Sequence, residues 1–375
     1  MNGIHEAGLL CSQRLVAYIV SQELAKASSL LPSNKNRSAL VHSLIGSLGL
    51  LSSPSVSNHG PGKSTSESYN NKDVLRVVRP RLASVQQLCL YHDRDYVDFI
   101  LNPSNNGAKL SSQCSYFGLE DDCPPFQGMG EYVQMIAGAT LSAAHVLKLN
   151  TFDVSICWDG GRHHAQKSRS ARFCYVADCI LAILSLKKAS PLPLLNPARE
   201  KARIMYLDLD LHFSDAVSEC FYKSAPCNAV SQVLTLSLHH SSPGFYPSTP
   251  LADLSDPAGP GFDPFTLSLS LKQGASSKTF ERVWAIVSAV KDAYRPDYVV
   301  LQCGTDGLAG DPHGVWNWSI GEAKGDMNWC VGEVINKWDA KVLLLDGGDG
   351  GGGYDSPNAA GAGHSLLCSF FLSAL

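Results

Sequence analysis

The sequence predicts an α/β protein, a parallel sheet covered on both faces by helices. Two observations carry this expectation. Short apolar runs of strand length alternate with segments of helical period along the chain. The chemically suggestive residues gather in the loops that follow those runs, which in a parallel sheet meet at one edge. With 375 residues, 45% hydrophobic and 17% charged, the chain can bury one large core or two smaller ones.

The elements follow in order. Residues 15–20 read as a first strand, and Leu40, Val41, Leu44 and Leu48 follow helical spacing between Arg37 and Leu50. Residues 51–72 are rich in Ser, Asn, Pro and Gly and read as a flexible surface insertion. Ordered pattern resumes at Val74, with His92-Asp93-Arg94-Asp95 capping a helix through Ile100. Residues 101–128 read as loop. From Glu131 a helix begins whose face is Val133, Ile136, Ala137, Thr140, Leu141, Ala144 and Leu147. Phe152–Trp158 is a strand and Phe173–Leu186 a helix. Ile204–Leu207 is the central buried strand, with a helix near Asp215–Tyr222. Val233–Leu238 is a strand and 280–290 a helix through Phe280, Trp284 and Val287. Tyr298–Cys303 and Lys341–Leu345 complete the strands. There is no internal repeat.

Composition excludes several functions. The formal net charge is -4 and the pI near 6.3, which argues against sequence-specific DNA binding. The 12 cysteines form no C-x-x-C pair, and several sit in apolar runs, so free thiols in a reducing compartment are expected. No secretory leader is expected, because no basic region followed by a long apolar run opens the chain. No apolar stretch approaches the roughly 20 residues of a membrane span. No dense Lys/Arg run marks nuclear import.

The chemistry centres on Tyr206-Leu207-Asp208-Leu209-Asp210-Leu211-His212. Alternation puts Asp208, Asp210 and His212 on one side of the extended chain. Two carboxylates and an imidazole at a buried strand end call for a cation; the alternative is a solvated strand end with a capping Asp. Asp306, after the strand ending at Cys303, would complete a site of two carboxylates and one imidazole with an open position, or else caps a turn. That donor set fits Zn²⁺ without excluding Fe²⁺ or Mn²⁺. His163-His164 follow Gly160 and Gly161, which let the backbone turn sharply, and could work as base and electrostatic partner; one of them could instead be a packed or surface His. Asp208 and Asp215 are available to orient them. Tyr354, after four glycines, could donate to an oxyanion, or could be an exposed Tyr on a flexible turn.

These motifs occur in an order that resembles class I zinc-dependent histone deacetylases. The resemblance is carried by Gly160-Gly161-Arg162-His163-His164-Ala165, Phe173-Cys174-Tyr175, Asp208-Leu209-Asp210-Leu211-His212, Ser242-Pro243-Gly244-Phe245-Tyr246-Pro247, Gly304-Thr305-Asp306-Gly307 through Asp311-Pro312, and Gly350 to Tyr354. It runs from about Val16 to Asn358. The Gly-Gly-Arg-His-His form and the Ser-rich insertion look like a fungal branch. The resemblance implies the three-layer arginase/deacetylase fold, with a central parallel sheet of about eight strands, in a single domain over 14–372. It implies Zn²⁺ on Asp210, His212 and Asp306, catalysis by His163, His164 and Tyr354 with Asp208 and Asp215, and aromatic channel walls at Phe173 and Tyr246 beside Gly161. Asp122 matches a rim residue that grips the substrate backbone. Asp208, Asp210, His212, Ser237 and Leu238 match a structural K⁺ site. The implied substrate is acetyl-lysine on histone tails, with corepressor subunits as partners and a role in nuclear transcriptional repression.

Some positions depart from the pattern. Arg172 stands where the family has Gly, His313 where it has an apolar residue at the channel mouth, and Phe213-Ser214-Asp215-Ala216 replaces a His-Gly-Asp-Gly segment. Asp346–Asp349 is added before the glycines, and Gly361-Ala362-Gly363 replaces Arg-Cys-Trp. An active deacetylase is therefore weighed against a weakly active scaffold in a corepressor complex. An arginase-like amidase is disfavoured by Tyr354 and the Phe173/Tyr246 pair.

Overall fold

The computed structural model describes residues 14–33, 35–49, 51, 75–105, 112–188, 199–224, 230–254 and 256–345. In chain order the elements are β1 (Val16–Ile19), α1 (Gln22–Ser28), α2 (Arg37–Ser47), β2 (Leu75–Val78), α3 (Val85–Leu88), α4 (Arg94–Leu101), α5 (Ser112–Tyr116), α6 (Met129–Lys148), β3 (Val154–Cys157) and α7 (Asp178–Lys187). Then follow β4 (Ile204–Asp208), α8 (Asp215–Phe221), β5 (Val233–His240), β6 (Thr266–Leu271), α9 (Ser277–Tyr294), β7 (Tyr298–Gln302), α10 (Met327–Lys337) and β8 (Lys341–Leu345).

The strands form one sheet of eight in the order β2-β1-β3-β8-β7-β4-β5-β6, every pair parallel. Parallel strands buried on both faces need apolar side chains in both directions, and β4 supplies them. Ile204 and Tyr206 enter the core on one face, Met205 and Leu207 that on the other. The first core packs α1, α4, α6, α7 and α8 on the sheet; the second packs α2, α9 and α10 on the opposite face. The result is three layers, as expected from the sequence. β1 sits between β2 and β3, so residues near the start of the chain belong to the same sheet. Among the described residues no helix is long and apolar enough to cross a membrane.

Several local expectations are corrected. The segment 173–186 does not begin as a helix: Arg172 and Phe173 have φ of 46° and 60°, left-handed values that a right-handed helix excludes, and α7 starts at Asp178. On α2 the inward face is Val41, His42 and Ile45 with Arg37, whereas Leu40 and Leu48 are exposed. The reason is polar: His42 hydrogen-bonds Tyr18 and Asp159 at 2.7 and 2.8 Å, and so fixes the rotation of the helix. Within 101–128, read as loop, lie α5 and a 3₁₀ turn at Pro103–Asn105. β6 and α10 were not expected; β6 carries only a Thr/Ser–Leu alternation at the sheet edge. The insertion at 51–72, apart from Leu51, lies outside the described residues.

The loop after β3 is fixed from beneath. Asp178, fully buried at the start of α7, accepts from Thr140 Oγ1 at 2.5 Å and from the backbone N–H of Gly161 and Arg162 at 3.0 and 2.7 Å. Thr140 is the polar residue on the apolar face of α6, and its hydroxyl is spent on this contact. Gly160 is required here, because a Cβ would overlap Thr140 Oγ1 and the Asp178 carboxylate. Asp178→Ala should therefore strand buried N–H donors and lower stability by about 3 kcal/mol. Urea unfolding measures this, and a loss below about 1 kcal/mol, within the range of an ordinary surface change, would contradict it.

Candidate active site

The site is built at the carboxyl ends of β3, β4 and β7. β4 ends at Asp208, and the chain continues through Leu209 and Leu211, both fully buried, so Asp210 and His212 are carried past the sheet edge on anchored backbone. β7 ends at Gln302, and Gly304 passes so close to Asp210 that a Cβ there would overlap the carboxylate. Asp306 then accepts from Leu211 N at 3.0 Å, which joins the two loops.

Asp210, His212 and Asp306 each offer one ligand atom, and these atoms lie within 4.8 Å of one another. The His212 imidazole faces Asp306 Oδ2 at 2.8 Å and Asp210 Oδ1 at 3.3 Å through Nδ1. Phe245 stacks on the same ring at 5.0 Å and 13°. Burial alone would lower the His212 pKa, but hydrogen bonds to Asp210 and Asp306 raise it to about 10. Asp210 is shifted upward by burial and by the Asp306 charge. Asp210 Oδ2 is buried with no hydrogen-bond partner. Converging donors, like charges and an orphaned carboxylate oxygen fit a divalent cation, which would take the place of the His212 proton.

Asp208 stands apart from this trio because its oxygens are occupied. Tyr206 Oη and His163 Nδ1 donate to Oδ2 at 2.5 and 2.8 Å, and Asp210 N donates to Oδ1 at 2.9 Å. His164 Nδ1 donates to Asp215 Oδ1 at 2.7 Å. The two imidazoles lie 4.0 Å apart, centroid to centroid, and both are buried. Their environments separate them. Burial would lower His163, yet the charges of Asp208 and Asp210 prevail and raise it to about 9. Burial and the neighbouring His163 lower His164 to about 4, against the pull of Asp215. Without a metal, the two environments thus favour the neutral form of His164, with its proton on Nδ1, and the charged form of His163. A metal on Asp210 would compete with His163 for that carboxylate and draw its pKa down.

The other predicted residues fall around this core. Tyr246 donates to Asp215 Oδ2 at 3.2 Å, and its ring lies 5.3 Å from His164. Arg172 NH1 lies 3.3 Å from Asp122 Oδ2. The Arg172 guanidinium covers the Tyr246 ring at 4.1 Å. These residues with Gln166 line a cleft. Phe173 is half-buried with a left-handed backbone, and Gly161 is buried with a positive φ of 115°. His313 sits 5.4 Å from the His212 ring and pairs with Asp311 at 2.9 Å, a bond that raises its pKa in spite of partial burial. Ser237 pairs with Asp208 in the β4–β5 register, and its hydroxyl contacts His239 Nδ1 at 3.0 Å. Leu238 is buried beside it. Tyr354, the glycines before it and the atypical segment after Asn358 lie outside the described residues.

Sequence reasoning missed three supports. Gln302 ties loops together, its amide donating to Gly161 O at 3.3 Å and accepting from Gly304 N at 2.7 Å. Tyr206 orients Asp208, and Phe245 orients His212. The signal for Gln302 was present, a lone amide ending the apolar run Tyr298–Leu301.

Comparison with known proteins identifies the family. Residues 53–368 match the histone deacetylase domain. The chain is 33% identical over 350 residues to histone deacetylase 8 of Danio rerio, covering 92% of this chain and 79% of that protein. It is 32% identical over 367 residues to histone deacetylase 8 of Xenopus tropicalis, covering 96% and 84%. It is 33% identical over 290 residues to human histone deacetylase 1, covering 76% of this chain but 54% of that longer protein. Because the match runs through both the sheet and the loops that build the site, the chain belongs to the histone deacetylase family.

Proposed function

We propose that this protein hydrolyses Nε-acetyl-lysine on histone tails or other proteins, using Zn²⁺ held by Asp210, His212 and Asp306. The observation that carries the reading is the placement of two carboxylate-backed imidazoles, His163–Asp208 and His164–Asp215, beside the only cluster of metal-binding type among the described residues. When bound there, zinc supplies Lewis-acid polarisation of the acetamide and acidifies water.

The side chains account for the rest of the chemistry. His164, neutral and hydrogen-bonded to Asp215 through Nδ1, presents Nε2 as acceptor for a proton of the attacking water. The water oxygen bonds to the acetyl carbon, and the C–N bond then breaks. His163, whose charged form Asp208 favours, supplies a proton as an imidazolium to the departing lysine amine. Separation of the two pKa values by environment is what lets adjacent histidines take opposite roles. By resemblance, Tyr354 donates to the oxyanion, Phe173 and Tyr246 flank the lysyl stem, and Asp122 holds the peptide at the rim.

Further proposals rest on the family. The domain is taken as 14–372. K⁺ would occupy a structural site formed by Asp208, Asp210, His212, Ser237 and Leu238. Action on chromatin in the nucleus, in transcriptional repression with corepressor subunits, fits the same resemblance.

Release of acetate from acetylated tail peptides by the full chain tests the reading. Asp210→Asn and His164→Ala should each lower kcat/KM by at least about 10²-fold, and Tyr354→Phe by about 10²–10³-fold. Wild-type activity no higher than that of Asp210→Asn would refute it. Chelation should abolish the same activity, with recovery on adding one equivalent of zinc per chain; activity that survives a chelator which strips the metal would exclude the assigned ligands.

A further inference from the structure

Arg172 lies one aromatic ring away from the proposed base. Its guanidinium covers the Tyr246 ring at 4.1 Å, and the far side of that network reaches His164 through Asp215. It lines the cleft together with Arg169 and with Glu120, Asp121 and Asp122. Of those carboxylates it pairs with Asp122, at 3.3 Å, with side chains 46% and 28% exposed. An ion pair in that setting is weak and exchangeable, whereas the contact over the Tyr246 ring adds a cation–π attraction that holds the charge at the cleft. Without Arg172, the carboxylates of the cleft would face Arg169 alone as a lining cation.

We propose that Arg172 is a specificity-determining residue that sets which charges are accepted around the acyl-lysine, disfavouring runs of Lys and Arg and admitting neutral and acidic neighbours. The inference rests on the deacylase reading above and ranks sites within its substrate class, on histone tails as on other proteins: acyl-lysines whose immediate neighbours are neutral or acidic are preferred over those inside Lys/Arg runs. The physical cause is twofold. Arg172 offsets part of the charge of Asp122, the carboxylate that would draw a basic flank into the cleft. It also repels ammonium groups brought within a Debye length, about 8–10 Å at moderate salt. Electrostatic matching of this kind governs selectivity more than total affinity.

The backbone makes the test clean. Arg172 has φ of 46°, a left-handed value that is costly for Arg and natural for Gly, so Arg172→Gly relieves strain and does not threaten the fold. Full-chain wild type, Arg172→Gly and Arg172→Lys are compared on two acetyl-lysine peptides that differ only in flanking Lys or Asp residues. Both kcat/KM for acetate release and affinity by fluorescence anisotropy are read, at low and high salt. Arg172→Gly should raise the preference for the Lys-flanked peptide about tenfold at low salt, with the difference shrinking at high salt. Arg172→Lys should keep the wild-type direction of preference and lie closer to wild type than Arg172→Gly does, since it keeps the charge though not the guanidinium's contact with Tyr246. An unchanged preference in Arg172→Gly, or an equal loss on both peptides, overturns the proposal. So does a wild type that binds neither peptide. Failure of the deacylase reading looks different: binding with no acetate released, where the ratio of affinities still reports on Arg172.

Discussion

Three carboxylates, Asp208, Asp210 and Asp306, are buried together at the ends of β4 and β7, and the architecture around them is organised by the need to compensate their charge. Removal of a carboxylate from water costs several kcal/mol unless it finds donors or cations. Asp208 meets that need with Tyr206, His163 and a backbone N–H. Asp306 has Leu211 N and the His212 ring. Asp210 is left with a bare oxygen and an upward-shifted pKa, and so it is the ligand that most requires a metal. Compensation draws on the same groups that the proposed chemistry would use, because Asp208 is answered by the His163 ring.

Precision comes from contacts below the site. Gln302, Asp178 and Thr140 hold the backbone of Gly161 and Arg162, so His163 and His164 project from a turn whose position is set by the sheet and α6. Gly304 lets β7 pass against Asp210 without steric cost. Phe245 stacks on His212. A misplacement of about 1 Å in such a site can cost on the order of 10² in rate, and rigid support from strands rather than from free loops avoids it.

The central strands and the pairing of Asp210 with His212 beside them were legible because their signals are local. Period-2 spacing of Asp208, Asp210 and His212 after an apolar run is unusual chemistry, and the runs at Tyr298 and Lys341 have strand length. Elements governed by tertiary contacts were not legible. The rotation of α2 follows the His42 link to Asp159, across a sequence distance that no local period reveals. The late start of α7 follows from consecutive left-handed residues at Arg172 and Phe173, neither of them a glycine that would have signalled a turn. β6 was hidden because a Ser/Leu alternation at a sheet edge is a weak strand signal. The Arg172 departure was visible as a change of residue, but its pairing with Asp122 and its place over the Tyr246 ring needed the fold.

If buried charge at Asp210 exists to hold a metal, its contribution to stability must change sign with the metal. Urea unfolding of wild type and Asp210→Asn, each with chelator and with excess zinc, measures this directly. With chelator, Asp210→Asn should be at least as stable as wild type, because it removes a carboxylate that burial and Asp306 disfavour. With zinc, wild type should be the more stable, because binding to the native state alone adds to its stability. If Asp210→Asn is the less stable protein by the same margin in both conditions, the carboxylate is structural and the metal assignment is wrong.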